Sequence, residues 1–276
     1  MWPRVRTTKI FKRISAEKVI IGQNSTIEEN VTVSGIDGPA KKVIIGDNVF
    51  IGHDTTIICP EISILDYTKI HNHTFIVGYM PCHIGYNCWI GQNTILDSNG
   101  LLIIGNNVGI GAYSQLYTHI KHGDVLEGCR YLSEKALRIG NDVWFVGHCI
   151  VSPIIAEDKS MALGGSVIVK DMKHNHIYGG SPAEDLTDKL GPPFREVKLE
   201  EKVAYMSTKL SQFYHLHPDL ANDNIKLAVK EEYEEGVTTF NISNRTYTKK
   251  GSKEEIQFMK FLLPHAKFIP VNCAKI

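Results

Sequence analysis

Residues Ile104-Gly-Asn-Asn-Val-Gly-Ile110-Gly-Ala-Tyr-Ser-Gln-Leu116 repeat a pattern every six positions. Each unit opens on a branched apolar residue (Ile104, Ile110, Leu116), often follows it with glycine (Gly105, Gly111), and carries a small or β-branched residue four places on (Val108, Ser114). The spacing extends backwards through Ile84, Ile90 and Leu96, then Ile64, Ile70 and Ile76, then Ile45, Ile51 and Ile57, to Ile21, Ile27 and Val33. It resumes after a gap at Ile139, Phe145 and Val151, and ends at Ala156, Ala162 and Ile168. A self-similar array of this length decides the architecture before any local propensity is weighed.

A period of six fits neither the 3.6 of an amphipathic helix nor the plain alternation of an isolated strand. It fits short strands joined by tight corners, three strands to a turn, stacked into a triangular prism. The branched residue then points inward, where such side chains stack well. The small residue lines the inside of a corner, and glycine or asparagine relieves the bend. Successive turns pair as parallel strands about 4.8 Å apart. One turn is a residue short, because Val151 and Ala156 are five apart across Ser152-Pro-Ile-Ile155.

The array is broken by a long polar excursion, residues 117–138, which opens on Tyr117-Thr-His-Ile-Lys-His122. Rigid repeats position loops well, so this break is where chemistry is expected. His119 stands at its root, three residues after Leu116. An imidazole can take a proton near pH 7. One turn earlier, Asn93, Asp97 and Asn99 make a polar patch in which Asp97-Ser-Asn-Gly100 interrupts the repeat.

Composition narrows the classes. The 276 residues suffice for one elongated domain and a small second one. Thirty basic residues balance thirty acidic ones, so net charge gives no argument for a nucleic-acid partner. No run of about 18 apolar residues exists to form a membrane span. The basic N-terminal arm, residues 1–17, lacks the apolar core of a signal peptide, and the chain reads as cytoplasmic. Six cysteines without a CxxC pair read as thiols of a reducing compartment.

After Gly191-Pro-Pro-Phe194 the repeat is gone. Leu199, Val203, Met206, Leu210 and Phe213 recur at helical spacing, and Ile225–Lys230 and Val237–Tyr247 alternate like strands. Ser252-Lys-Glu-Glu255 is a capping box that opens a further helix stopped by Pro264. Residues 18–190 therefore read as the prism and 195–276 as a small α+β domain without a recognisable catalytic motif. Covering an end of the prism would be an ordinary role for it.

The repeat over residues 18–187 resembles the hexapeptide-repeat acyltransferases, whose fold is a left-handed parallel β-helix. Residues 104–183 resemble the galactoside, maltose and nodulation sugar O-acetyltransferase branch, through Ile139-Gly-Asn-Asp-Val-Trp-Phe-Val-Gly147, Leu163-Gly-Gly-Ser-Val-Ile-Val-Lys-Asp171 and Gly180-Ser-Pro-Ala183. Glu157 and Glu184 depart from that pattern, standing where the family has glycine and a basic residue.

The resemblance implies acetyl-CoA as co-substrate, a sugar hydroxyl or amine as acceptor, and a homotrimer with its sites in clefts between neighbouring prisms. It makes His119 the catalytic base, with His122 and Tyr117 as possible support, and Asn93, Asp97 and Asn99 as acceptor-binding residues. It assigns the coenzyme to Trp144, Gly147, Gly164, Gly165 and Lys170. Cell-envelope polysaccharide or nucleotide-sugar precursors are the expected acceptors. The rival readings are a zinc-dependent carbonic anhydrase on the same prism and a non-catalytic assembly scaffold. No metal site is assigned to the histidine clusters, because alternate residues such as His71 and His73 face apart on a strand.

Overall fold

A computed structural model describes residues 13–133, 135–220, 224–232 and 234–271. The chain forms two compact units, one ending at Phe194 and the other beginning at Arg195. Most of the basic arm and Cys273 lie outside the described residues.

The first unit is a three-sided parallel β-helix. Its first face pairs Ile21, Ile45, Ile64, Ile84, Ile104, Ile139 and Ala156 in register from coil to coil. The second face does the same with Ile27, Ile51, Ile70, Ile90, Ile110, Phe145 and Ala162. The third stacks Val33, Ile57, Ile76, Leu96, Leu116, Val151 and Ile168. These registers are the ones the six-residue spacing requires. The side chains from Ile45 to Ile168 in these rows are buried. Burying one such isoleucine is worth roughly 1.5–3 kcal/mol over leaving it exposed, so the stacked rows supply the core. Where Phe145 brings a larger ring, the next coil offers Ala156 and Ala162, so volume is conserved across neighbouring layers.

The corners are equally regular. The third residue after the inward apolar one takes a left-handed backbone, as at Asn24, Asn48, Asp54, His73, Asn107, Tyr113 and His148. Asparagine and aspartate tolerate that conformation better than other side chains. The fourth residue is buried in the bend, as Thr68, Thr94, Val108 and Ser114 are. Between the first and second faces the corner side chains form a ladder. Asp66 Oδ1 accepts from the Asp47 N–H, Asn106 Oδ1 from Tyr86, and Asn141 Oδ1 from Asn106. The ladder satisfies amides that face out of the sheets.

Pairing starts before the first spaced isoleucine, with Ile14 bridged to Val33 and a strand over Ala16–Ile21. At the other end Ile177–Gly180 continues the second face in parallel and turns back antiparallel as Ala183–Asp185. A short helix, Thr187–Leu190, follows. The excursion leaves and re-enters without disturbing the stack, since Leu137–Ile139 still pairs with Leu102–Ile104. Its neck is held by reciprocal Ile120–Ser133 backbone bonds of 2.8 Å.

In the second unit, the strands Ile225–Ala228, Thr238–Asn241, Thr246–Thr248 and Ile269–Val271 form one sheet in that order. The helices Leu199–Leu216 and Lys253–Leu262 accompany it, and Phe213 packs on Phe258 with ring centroids 5.1 Å apart. Ser252 caps the second helix by accepting the Glu255 N–H. Among the described residues, no helix is long and apolar enough to cross a membrane.

Candidate active site

Leu96 and Leu116 are register partners twenty residues apart, so the corner after Leu96 lies directly against the corner after Leu116. This brings Asp97 to Thr118 and His119. Asp97 is buried, and its Oδ1 accepts from the Thr118 amide at 2.9 Å, the Thr118 hydroxyl at 2.5 Å and His119 Nδ1 at 3.0 Å. Its Oδ2 accepts from Asn99 Nδ2 at 2.8 Å. The Thr118 hydroxyl in turn accepts from the Gly100 amide at 2.7 Å, which closes the knot.

The carboxylate orients the imidazole, whose Nδ1 also lies 3.2 Å from Asn99 Nδ2. A carboxylate oxygen has no hydrogen to give, so Nδ1 must carry the proton that bridges to Asp97. In the neutral ring Nε2 then keeps its lone pair, and the His119 side chain remains 30% exposed. A ring oriented by a buried carboxylate, with its other nitrogen open, is suited to take a proton from a bound group.

The remaining sequence candidates distribute over several parts of the prism. Tyr117 lies beside His119 in sequence, but its hydroxyl donates to Gln115 Oε1 at 2.7 Å. His122 is exposed within the excursion. Asn93 sits at the corner between the second and third faces, with φ of 57°, at the other end of the short strand that leads to Asp97. It is therefore separated from Asn99, which bonds to Asp97. Both oxygens of Asp97 accept hydrogen bonds from the protein, and Oδ1 orients His119.

Trp144 points outward on the second face, 48% exposed, and its indole lies over Gly109. Gly147, Gly164 and Gly165 share the corner between the second and third faces, where the Gly165 amide donates to the Gly147 carbonyl at 2.9 Å. At Gly164 a Cβ would meet nothing nearer than 3.8 Å, and at Gly165 nothing within 4 Å. The corner is open at Gly164 and Gly165, while the preceding coil presents the exposed His148, stacked on Tyr113 with ring centroids 5.0 Å apart. Lys170 is exposed but follows Ile168, so it belongs to the other corner of the third face, the one that carries His119. The short coil leaves a shallow groove of about 420 Å³ on the first face, lined in part by Arg138, Ile155, Glu157 and His174.

No family model matches the chain. Over 103 residues it is 29% identical to galactoside O-acetyltransferase of Escherichia coli (strain K12), a match covering 36% of this chain and 50% of that protein. The chain spans about half the length of the curated relatives it matches. Over its repeat segment the chain is similar to these acetyltransferases.

Solved structures of hexapeptide-type enzymes are similar at lower identity. A maltose O-acetyltransferase from Clostridium difficile 630 is 16% identical, with a TM-score of 0.33, over 67% of this chain and 75% of that one. The N-acyltransferase AntD from Bacillus cereus is 15% identical, with a TM-score of 0.39, over 75% and 96%.

One feature of the site is not evident from local sequence, the contact of Asp97 with Thr118 and His119. The signal for it is the repeat itself. A full turn here is twenty residues, so Asp97, one past Leu96, must lie beside the residues just past Leu116.

Proposed function

We propose that this protein transfers an acetyl group from acetyl-CoA to a hydroxyl or amino group of a sugar, with His119 as general base. The observation that carries the reading is the buried Asp97, which holds His119 through Nδ1 and leaves Nε2 open at the root of the excursion. An acceptor hydroxyl or amine against Nε2 loses its proton as its oxygen or nitrogen attacks the thioester carbonyl carbon. The tetrahedral oxyanion collapses, the C–S bond breaks, and the imidazolium returns the proton to the departing thiolate. Asp97 offsets the transient positive charge on the ring. Such a base is worth about 10²–10⁴ in rate. No acyl-enzyme forms.

The thioester donor follows from the family resemblance, and two local features support it. The open glycine corner at Gly164 and Gly165, next to Gly147, offers room to a thin pantetheine chain, and Trp144 offers an exposed indole on the adjoining face. Within one chain this corner and His119 border the third face from opposite edges. A second copy that laid its glycine corner against His119 would complete a site, which supports a homotrimer with three equivalent clefts. Exposed Lys170, on the His119 corner, would then meet coenzyme phosphates. A cytoplasmic precursor of a cell-envelope polysaccharide, or a nucleotide sugar, is the acceptor this reading favours.

The test is a screen for acetyl-CoA-dependent thiol release with amino sugars, nucleotide sugars and oligosaccharides. His119→Ala should lower turnover at least about 10²-fold while the rise in melting temperature with acetyl-CoA is retained. Near-normal turnover in that variant would place the base elsewhere.

A further inference from the structure

The corner that is open at Gly164 and Gly165 carries titratable side chains in earlier coils. His53 and Asp54 occupy two successive positions of that corner, and His73 occupies the position of Asp54 one coil later. As the alternation rule requires, His71 and His73 part company. His71 lies between the rings of Phe50 and Trp89, at 5.8 and 4.9 Å. His73 turns to the corner instead and meets His53 edge-on at 5.0 Å. The partner of His73 is thus a histidine of the preceding coil.

Asp54 Oδ2 lies 2.7 Å from His53 Nδ1 and 4.0 Å from His73 Nδ1. One ligand atom from each residue falls within 4.8 Å of the other two. Two of the three are supported from behind. The Asn72 amide is 2.7 Å from His53 Nε2, Asn30 Nδ2 donates to Asp54 Oδ1 at 3.0 Å, and Arg13 donates to Asn30 Oδ1 at 2.7 Å. Asp54 and His73 are fixed in the left-handed conformation (φ 58° and 57°) by the stacked coils, so both side chains spring from rigid backbone. All three remain partly exposed, which leaves room for water beyond them.

Two imidazole nitrogens, one carboxylate oxygen and a solvent position make a four-coordinate set suited to zinc. Zinc–ligand bonds of about 2.0–2.1 Å place tetrahedral ligand atoms roughly 3.3 Å apart. The observed 2.7 and 4.0 Å separations bracket that value, and all three ligand atoms lie within 4.8 Å of one another, so side-chain rotation alone would close the site. Nitrogen-rich sets favour borderline transition ions over magnesium or calcium. We propose that His53, Asp54 and His73 bind one zinc-class divalent ion per chain, clipping the second coil of the prism to the third. The site is distinct from His119, which lies three coils beyond that of His53 and on the other corner of the third face.

The corner itself supplies variants compatible with the fold. Asn30 and Asn93 already occupy the backbone position of His73 in other coils, and Gln92 that of His53. Full-length protein without an affinity tag, stripped with a chelator, is titrated with Zn²⁺ against a chromophoric competitor, with Mg²⁺ and Ca²⁺ as controls, and melted with and without each ion. The expected result is one Zn²⁺ per chain, a melting temperature raised by Zn²⁺ alone, and affinity lowered at least about tenfold in both His73→Asn and His53→Gln. The metal-free variants should melt like the wild type. A stoichiometry of zero, or Zn²⁺ affinity unchanged in the double variant, would overturn the proposal. If either histidine variant is lost to misfolding, Asp54→Asn, which suits the same left-handed position, decides by the same two measurements.

Discussion

The two corners that border the third face share a backbone and differ in what they present. Across the fourth and fifth coils, one corner ties Asp97, Asn99, Thr118 and His119 into a single hydrogen-bonded knot around a buried carboxylate. At the sixth and seventh coils, the other presents Gly147, Gly164 and Gly165 beside the exposed His148, with open space at Gly164 and Gly165. Leu116, Val151 and Ile168 run in register between them, so the core does not distinguish the two. The interior fixes geometry and the corners carry chemistry. Even glycine has two meanings here. A Cβ at Gly111 would collide with the backbone around Val146, whereas one at Gly164 would sit in ordinary contact at 3.8 Å. The first glycine is required by packing, and the second is free for a ligand.

The sharpest break of this contrast is Asp97→Asn. An asparagine can offer its N–H to Nδ1, which moves the ring proton to Nε2 and removes the base. Turnover in the acetyl-transfer assay should fall about 10²-fold or more, with the proton position read by nitrogen NMR of His119. Next come the glycines. Gly111→Ala should cost about 1–3 kcal/mol in denaturant melts through overpacking. Gly164→Leu should leave the melt nearly unchanged but raise the acetyl-CoA KM about tenfold or more. A stable Gly111→Ala protein, or a Gly164→Leu enzyme of normal KM, would erase the distinction.

The smallest expected effect concerns His71, whose imidazole is held below its ordinary value, first by burial and then by the charge of Lys69. With the folded value below the unfolded one of about 6.5, the unfolded chain takes up the proton first as pH falls through that range. Wild-type stability should therefore decline as pH drops below about 6.5. Part of that slope should vanish in His71→Phe, measured as the difference between the two melting curves.

How much of this was legible in the sequence follows from the same division. The inward rows, from Ile45 to Ile168, could be read in register because a buried position tolerates few side chains and repeats its demand every coil. The break at residues 117–138 and His119 at its root stood out against that regularity. What lay hidden was which corner residues meet. Asn93 and Asp97 are four apart in sequence yet occupy different corners, while Asp97 and His119 are twenty-two apart and in contact. His73 likewise finds His53 rather than His71. Corner contacts follow the length of a full turn, and that length varies with each inserted residue and with the excursion. The helices of the second unit were legible from the Leu199–Phe213 stripe and the Ser252 cap. Its last strand, Ile269–Val271, is too short and contains Pro270, so it gave no alternation to read.

The account stands on Asp97 acting through His119, and a double-mutant cycle on single-turnover acetyl transfer tests that most directly. Wild type, Asp97→Asn, His119→Ala and the double variant are compared with one acceptor at saturating acetyl-CoA. The prediction is a double variant no slower than His119→Ala alone, because a carboxylate without its imidazole has nothing left to orient. Losses that multiply, with the double variant slower by the product of the two single effects, would contradict it.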